Sequence, residues 1–205
     1  MEFGAALRQE RLVAIVRGKD AEASFRTVMT LVEEGVPLVE VSLSGTGALD
    51  VIGRARKELG DAAWLGAGTV LTAEDAQRAA EAGANLMVTP GLGAGVVESV
   101  RQGLPVLAGV ITPSEVIAAD AAGAAALKLF PGTIGGPAYL RALRAPFPDL
   151  PFVPVGGVDA AAAAEYLSSG AVAVGVGAPL VGDAADGGDL DALRRRAAEF
   201  KAVCA

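Results

Sequence analysis

Short apolar runs recur roughly every 20–25 residues along the chain, and each is followed by an alanine-rich stretch with helical spacing. No other feature constrains the fold as strongly, because strands separated by helices must pair in parallel, each helix crossing back over the sheet. The runs fall at residues 12–16, 38–42, 64–67, 86–89, 105–108, 126–130, 152–155 and 173–177. Helices are predicted at 21–34, 47–59, 73–82, 95–102, 113–122, 137–143, 160–167 and 190–202, with a further short helix over 1–9. Several helices stop at a glycine (Gly35, Gly83, Gly103, Gly123, Gly170) suited to the left-handed position that ends a helix before the next strand. Eight strand–helix units in 205 residues, without a long linker or composition break, predict one α/β domain over 1–205. The expected architecture is a (β/α)8 TIM barrel whose short N-terminal helix caps the bottom. An open doubly wound sheet competes with it, but Arg17-Gly18-Lys19-Asp20 stands where a dinucleotide-binding fold carries Gly-x-Gly-x-x-Gly.

Composition narrows the chemistry mainly through what is missing. There is no histidine, and the single cysteine, Cys204, is the penultimate residue. Ser-His-Asp triads, cysteine–histidine pairs and imidazole zinc sites are therefore excluded, and catalysis must rest on lysine, carboxylates, arginine, hydroxyls and backbone amides. No tight cluster of acidic residues falls at the strand ends, so no metal site is expected. The net charge of −7, with basic residues scattered apart from Arg194-Arg195-Arg196, gives no footprint for nucleic acid. No apolar run reaches membrane-spanning length and the first residues lack the order of a signal peptide, so a cytoplasmic enzyme without membrane association is expected.

Against that background Lys128 stands out. It interrupts Ala125-Ala126-Leu127-Lys128-Leu129-Phe130-Pro131, one of four lysines in the chain and the one set in an apolar strand. Strand alternation puts Lys128 and Phe130 on one face and Leu127 and Leu129 on the other. Burial penalises the charged form, which favours a free amine able to attack a carbonyl. A lysine held in the core by a carboxylate for structural reasons is the plain alternative. In Pro37-Leu38-Val39-Glu40-Val41-Ser42-Leu43 the same alternation turns Glu40 and Ser42 to the barrel interior. Strands two and six stand opposite each other in a ring of eight, so Glu40 and Lys128 converge across the axis. Glu40 could equally be a salt-bridge partner of a structural lysine.

In barrels of this kind chemistry sits where the strands end. The residues there include Arg17, Glu40, Ser42, Gly68-Thr69, Thr89-Pro90-Gly91, Thr112, Lys128, Phe130, Gly156-Gly157 and Gly177-Ala178. Glycines in the last two loops, Gly156-Gly157 and Gly175-Val176-Gly177-Ala178, let backbone amides approach an anion, which points to a phosphate-bearing ligand; tight turns are the alternative use. Arg17 is a candidate partner for a substrate carboxylate.

In this order and at this spacing, the chain resembles the 2-keto-3-deoxy-6-phosphogluconate and 4-hydroxy-2-oxoglutarate aldolases. The carriers are Val13-Ala14-Ile15-Val16-Arg17, Val39-Glu40-Val41, Gly66-Ala67-Gly68-Thr69-Val70, Thr89-Pro90-Gly91, Leu127-Lys128-Leu129-Phe130-Pro131-Gly132, Gly136-Pro137, Pro146-Phe147-Pro148 and Gly156-Gly157-Val158. The resemblance implies a (β/α)8 class I aldolase that needs no metal or cofactor. It implies that Lys128 forms a Schiff base, that Glu40 shuttles protons, and that Thr69, Pro90 and Phe130 line a pyruvate pocket in a homotrimer. The implied partners are a phosphorylated keto-acid substrate and pyruvate. Three positions depart from the best-known members. Ser44 replaces an arginine that binds the carboxylate, a role transferred here to Arg17. Val155 replaces a threonine, as in relatives acting on the 6-phosphogalactonate epimer. Ala178 replaces a serine that would donate to phosphate. From the residues alone, a sugar-phosphate isomerase or epimerase and a non-catalytic phosphosugar-acid sensor also stay open.

Overall fold

The computed structural model describes residues 2–205; Met1, the first residue of the expected leading helix, lies outside the described residues. The strands are β1 (Leu12–Val16), β2 (Leu38–Ser42), β3 (Trp64–Gly68), β4 (Leu86–Val88), β5 (Val106–Val110), β6 (Ala126–Leu129), β7 (Phe152–Pro154) and β8 (Val174–Val176). The helices are α1 (Phe3–Glu10), α2 (Ala21–Glu33), α3 (Ala48–Leu59), α4 (Ala73–Glu81), α5 (Ala94–Arg101), α6 (Pro113–Ala121), α7 (Gly136–Arg144), α8 (Ala160–Ser168), α9 (Ala178–Val181) and α10 (Leu190–Cys204). All strand pairs are parallel, in the order β7-β6-β5-β4-β3-β2-β1-β8. A bridge between Val155 and Gly175 and a bond from the Val172 amide to the Phe152 carbonyl (3.0 Å) join β7 to β8, so the sheet is a nearly closed (β/α)8 barrel. Among the described residues no helix is long and apolar enough to cross a membrane.

Local chemistry sets the helix starts. Thr72 and Thr112 each form a reciprocal capping box with the acid three residues on, Asp75 and Glu115, while Asp20 and Asp159 accept from Ala23 and Ala162. Each of the five expected glycine stops has a positive φ. These caps fix where each loop leaves its strand, and so where the polar residues at the barrel mouth point.

Two apolar layers hold the structure. Outward residues of the strands, such as Val39, Val41, Leu127 and Leu129, meet the helix ring. Inward residues, including Val13, Leu38, Leu86, Leu107, Val153 and Val155, fill the barrel. Phe3, Ala6 and Leu7 of α1 join this inner layer, and Phe3 meets Trp64 edge-on with centroids 5.3 Å apart. Burying Phe3 and Leu7 is worth about 1.5–3 kcal/mol each and closes the bottom, leaving the other end open.

The structure differs locally from the sequence reading at β5 and after β8. β5 runs on to Val110 instead of stopping at 108, because Gly109 is no strand end: a side chain there would strike the Pro90 backbone, and its amide donates to Thr89 Oγ1 at 3.2 Å. The four-residue α9 stands in what reads as a loop.

Candidate active site

At the C-terminal ends of the strands lies a cavity of about 670 Å³. Lys128 enters it from β6 and is 6% exposed, with Nζ 5.2 Å from the centroid of the Phe130 ring. It forms no salt bridge among the described residues. Glu40 enters from β2 and is 1% exposed. Its Oε2 has no hydrogen-bond partner among the described residues, and burial raises its pKa, with Lys128 and then Arg17 pulling the other way. The two side chains thus share the cavity and each other's field without forming the closed ion pair of a structural lysine.

Gly68 explains how Glu40 fits. A Cβ at that position would collide with the Glu40 carboxylate, so β3 supplies a bare backbone against which the side chain lies. The next residue, Thr69, adopts φ 61°, a conformation that a β-branched side chain rarely takes, and faces the cavity. Its Oγ1 is 2.9 Å from Ser42 Oγ, which also lies 2.9 Å from Ser44 Oγ and accepts from Arg17 Nε at 3.2 Å. One edge of the cavity is therefore a connected set of hydroxyls ending in a guanidinium.

The opposite edge is glycine and backbone. Gly156 and Gly157 have φ of 95° and 70°, and a side chain on Gly156 would meet the Phe130 ring. The loop after β6 is tied to this turn by the Gly132 amide donating to the Val155 carbonyl at 2.7 Å and by the Tyr166 hydroxyl donating to the Gly132 carbonyl. Beyond the closing seam of the barrel, Gly177 precedes α9. The amides of Gly157, Gly177 and Ala178 have no protein acceptor among the described residues, leaving N–H groups at the rim available to an anion.

A family description, the KDPG and KHG aldolases, matches residues 4–195. The chain belongs to that family. A probable 2-dehydro-3-deoxy-6-phosphogalactonate aldolase of Rhizobium meliloti (strain 1021) is 37% identical over 181 residues, covering 87% of this chain and 85% of the relative. The KHG/KDPG aldolase of Escherichia coli (strain K12) is 33% identical over 191 residues, 92% of this chain and 89% of the relative. A solved structure described as native KDPGal superposes with a TM-score of 0.88 at 32% identity, over 94% of this chain and 93% of that one. Membership makes the chain one of a family of aldolases, which are carbon–carbon lyases.

The structure brings every candidate site residue to this one cavity: Lys128, Glu40, Arg17, Thr69, Pro90 and Phe130, with Val155, Gly156, Gly157, Gly177 and Ala178 on the glycine edge. Thr112, which also stands at a strand end, instead caps α6. The sequence reading missed the hub formed by Ser42 and the place of Ser44 within it. It also missed Pro179, Val181 and Gly182, which line the cavity from α9 and the residue beyond. The proline after Gly177-Ala178 and the glycine after Val181 were signals for a one-turn helix.

Proposed function

We propose that the chain is a class I, metal-independent aldolase that cleaves 2-keto-3-deoxy-6-phosphogluconate to pyruvate and glyceraldehyde 3-phosphate. The observation that carries this reading is the pairing in one cavity of a buried, unbridged lysine with a buried glutamate lacking its full set of donors. The amine of Lys128 attacks the C2 ketone, and Glu40 supplies and removes protons as the carbinolamine loses water. The protonated imine is the electron sink. Glu40, through a water, takes the C4 hydroxyl proton; the C3–C4 bond breaks, glyceraldehyde 3-phosphate leaves, and the bonding pair becomes the enamine of pyruvate. Protonation at C3 and hydrolysis of the imine release pyruvate and restore the amine. Arg17 pairs with the carboxylate, Thr69, Pro90 and Phe130 enclose the three-carbon end, and the Gly156-Gly157 and Gly177-Ala178 amides take the phosphate.

The 6-phosphogalactonate epimer is the second reading, favoured by Val155 and by the relative from Rhizobium meliloti. Unphosphorylated 4-hydroxy-2-oxoglutarate, giving pyruvate and glyoxylate, is a further substrate consistent with the family. A coupled pyruvate assay on the three compounds decides among them: the reading expects the highest kcat/KM on the gluconate-derived compound, and a preference for either other compound replaces it. A cytoplasmic homotrimer completes the proposal. Leu71, Leu92, Val97 and Ile117, in and around α4 to α6, expose apolar side chains that a second copy of the chain could cover.

A further inference from the structure

We propose that Ser42 is the positioning residue for the carboxylate end of the cavity, holding Arg17 so that only the two terminal guanidinium nitrogens are open to a bound 2-oxo acid. The inference rests on the reading of the cavity as a pyruvate site and deepens it.

Ser42 is fully buried, two residues beyond Glu40 on the inward face of β2. Three polar groups converge on its hydroxyl: Arg17 Nε at 3.2 Å, Ser44 Oγ at 2.9 Å and Thr69 Oγ1 at 2.9 Å. A serine hydroxyl has one proton and two acceptor positions. Arg17 occupies one acceptor position, so Ser42 gives its proton to one of its two hydroxyl neighbours and accepts from the other. The neighbour that receives that proton keeps its own O–H free to turn into the cavity. This edge therefore presents the Arg17 terminal nitrogens and one hydroxyl proton together, a set of donors that matches a planar anion with two oxygens.

Arg17 needs such an anchor. Its side chain is exposed, and the bond to Ser42 is its one protein hydrogen bond among the described residues. With Nε committed to Ser42, the side-on face of the fork is closed and a carboxylate must bind end-on. The same hydroxyl contacts Thr69 Oγ1 and is one of the contacts that hold this residue in its left-handed conformation. Ser42 thus acts through Arg17 rather than by touching substrate.

The test is the pyruvate concentration that half-saturates borohydride trapping, measured on the full-length protein for Arg17→Ala, Ser42→Ala and the double variant. Arg17→Ala should raise it at least tenfold, and Ser42→Ala about fivefold, with the trapping plateau lowered by less than threefold. In the double variant, Ser42→Ala should add less than twofold to the effect of Arg17→Ala, because the serine acts through the arginine. Ser42→Thr, which keeps the hydroxyl, should stay within twofold of the parent. If Ser42→Ala fails to fold, Ser42→Cys, nearly isosteric but a poor hydrogen-bonding group, carries the same comparison. Full additivity in the double variant overturns the positioning role while leaving the aldolase reading intact. An unchanged half-saturation in Arg17→Ala removes the carboxylate assignment and this inference with it, and absence of any adduct on the parent removes the Schiff-base reading as well.

Discussion

Two glutamates are buried among the described residues, and their surroundings are opposite. Glu98, 8% exposed between α4 and α5, accepts from Arg101 Nε and Nη2 at 2.7 Å, from Gln102 Nε2 at 2.8 Å and from Gln77 Nε2 at 3.1 Å. The Arg101 fork foremost, with the two glutamines, holds its pKa down to about 2. Glu40, 1% exposed at the barrel mouth, has an unpartnered oxygen, and its pKa is raised by burial. Burial alone does not determine what a carboxylate does; the supply of donors does. A fully supplied carboxylate stays ionised and joins helices. One denied its donors is poised to exchange a proton, the property that the mechanism proposed for this cavity asks of Glu40.

The largest expected effect lies at the barrel mouth. Lys128→Met should abolish cleavage while keeping the fold, since methionine suits the apolar strand; retained activity in the coupled pyruvate assay would mean another nucleophile.

Exchanging each glutamate for glutamine sharpens the contrast. Glu40→Gln should lower kcat by about 10²–10⁴-fold and weaken pyruvate binding far less, because the amide keeps the shape but cannot exchange protons. It should also raise thermal stability, since the fold then no longer carries a buried carboxylate that resists ionisation. A raised folded-state pKa means that stability falls as pH rises above the ordinary value of 4.5, so the gain in Tm should be larger at pH 8 than at pH 5. Glu98→Gln should do the reverse, leaving kcat within twofold and lowering Tm at neutral pH. A depressed pKa gives stability that is present above 4.5 and lost as pH falls toward about 2, so the two proteins should converge in acid. Melting curves across pH, with kcat for each variant, check both halves; equal behaviour of the two glutamates would end the comparison.

Smaller effects belong to the glycine edge. Val155 faces the cavity from the end of β7 and offers no hydroxyl, so Val155→Thr should shift the ratio of kcat/KM toward the gluconate epimer by about fivefold, the worth of one hydrogen bond. An unchanged ratio places stereochemical control elsewhere. Ala178→Ser should strengthen binding of phosphorylated substrate by about 1 kcal/mol and leave pyruvate unaffected, while an equal effect on both ligands would move the phosphate to another surface.

How much of this was legible in sequence follows the same logic. Lys128 and Glu40 stood out because a charge inside an apolar alternating strand has few uses, and the barrel followed from strand–helix periodicity with glycine stops. Ser42 was placed on the inward face but given no role, since serine fits such a position without one and its meaning depends on Arg17, Thr69 and Ser44 arriving from three other segments. Glu98, within Val96-Val97-Glu98-Ser99, reads as any helical surface charge; the donors that bury it come from α4 and from its own last turn. The fifth strand reads as ending at 108 because the close approach of the Pro90 backbone to Gly109 is invisible in the local pattern. Residues that impose their chemistry locally are legible, and those defined by convergence are not.

If Lys128 is the nucleophile toward pyruvate, as proposed, reductive trapping captures it in the act. Incubation with pyruvate and borohydride, followed by peptide mass mapping, should place one reduced pyruvyl group on Lys128 and none on Lys19, Lys57 or Lys201. An adduct on another lysine, or no adduct under conditions that cleave substrate, would contradict the account and return the cavity to proton transfer without an imine, as in an isomerase or epimerase.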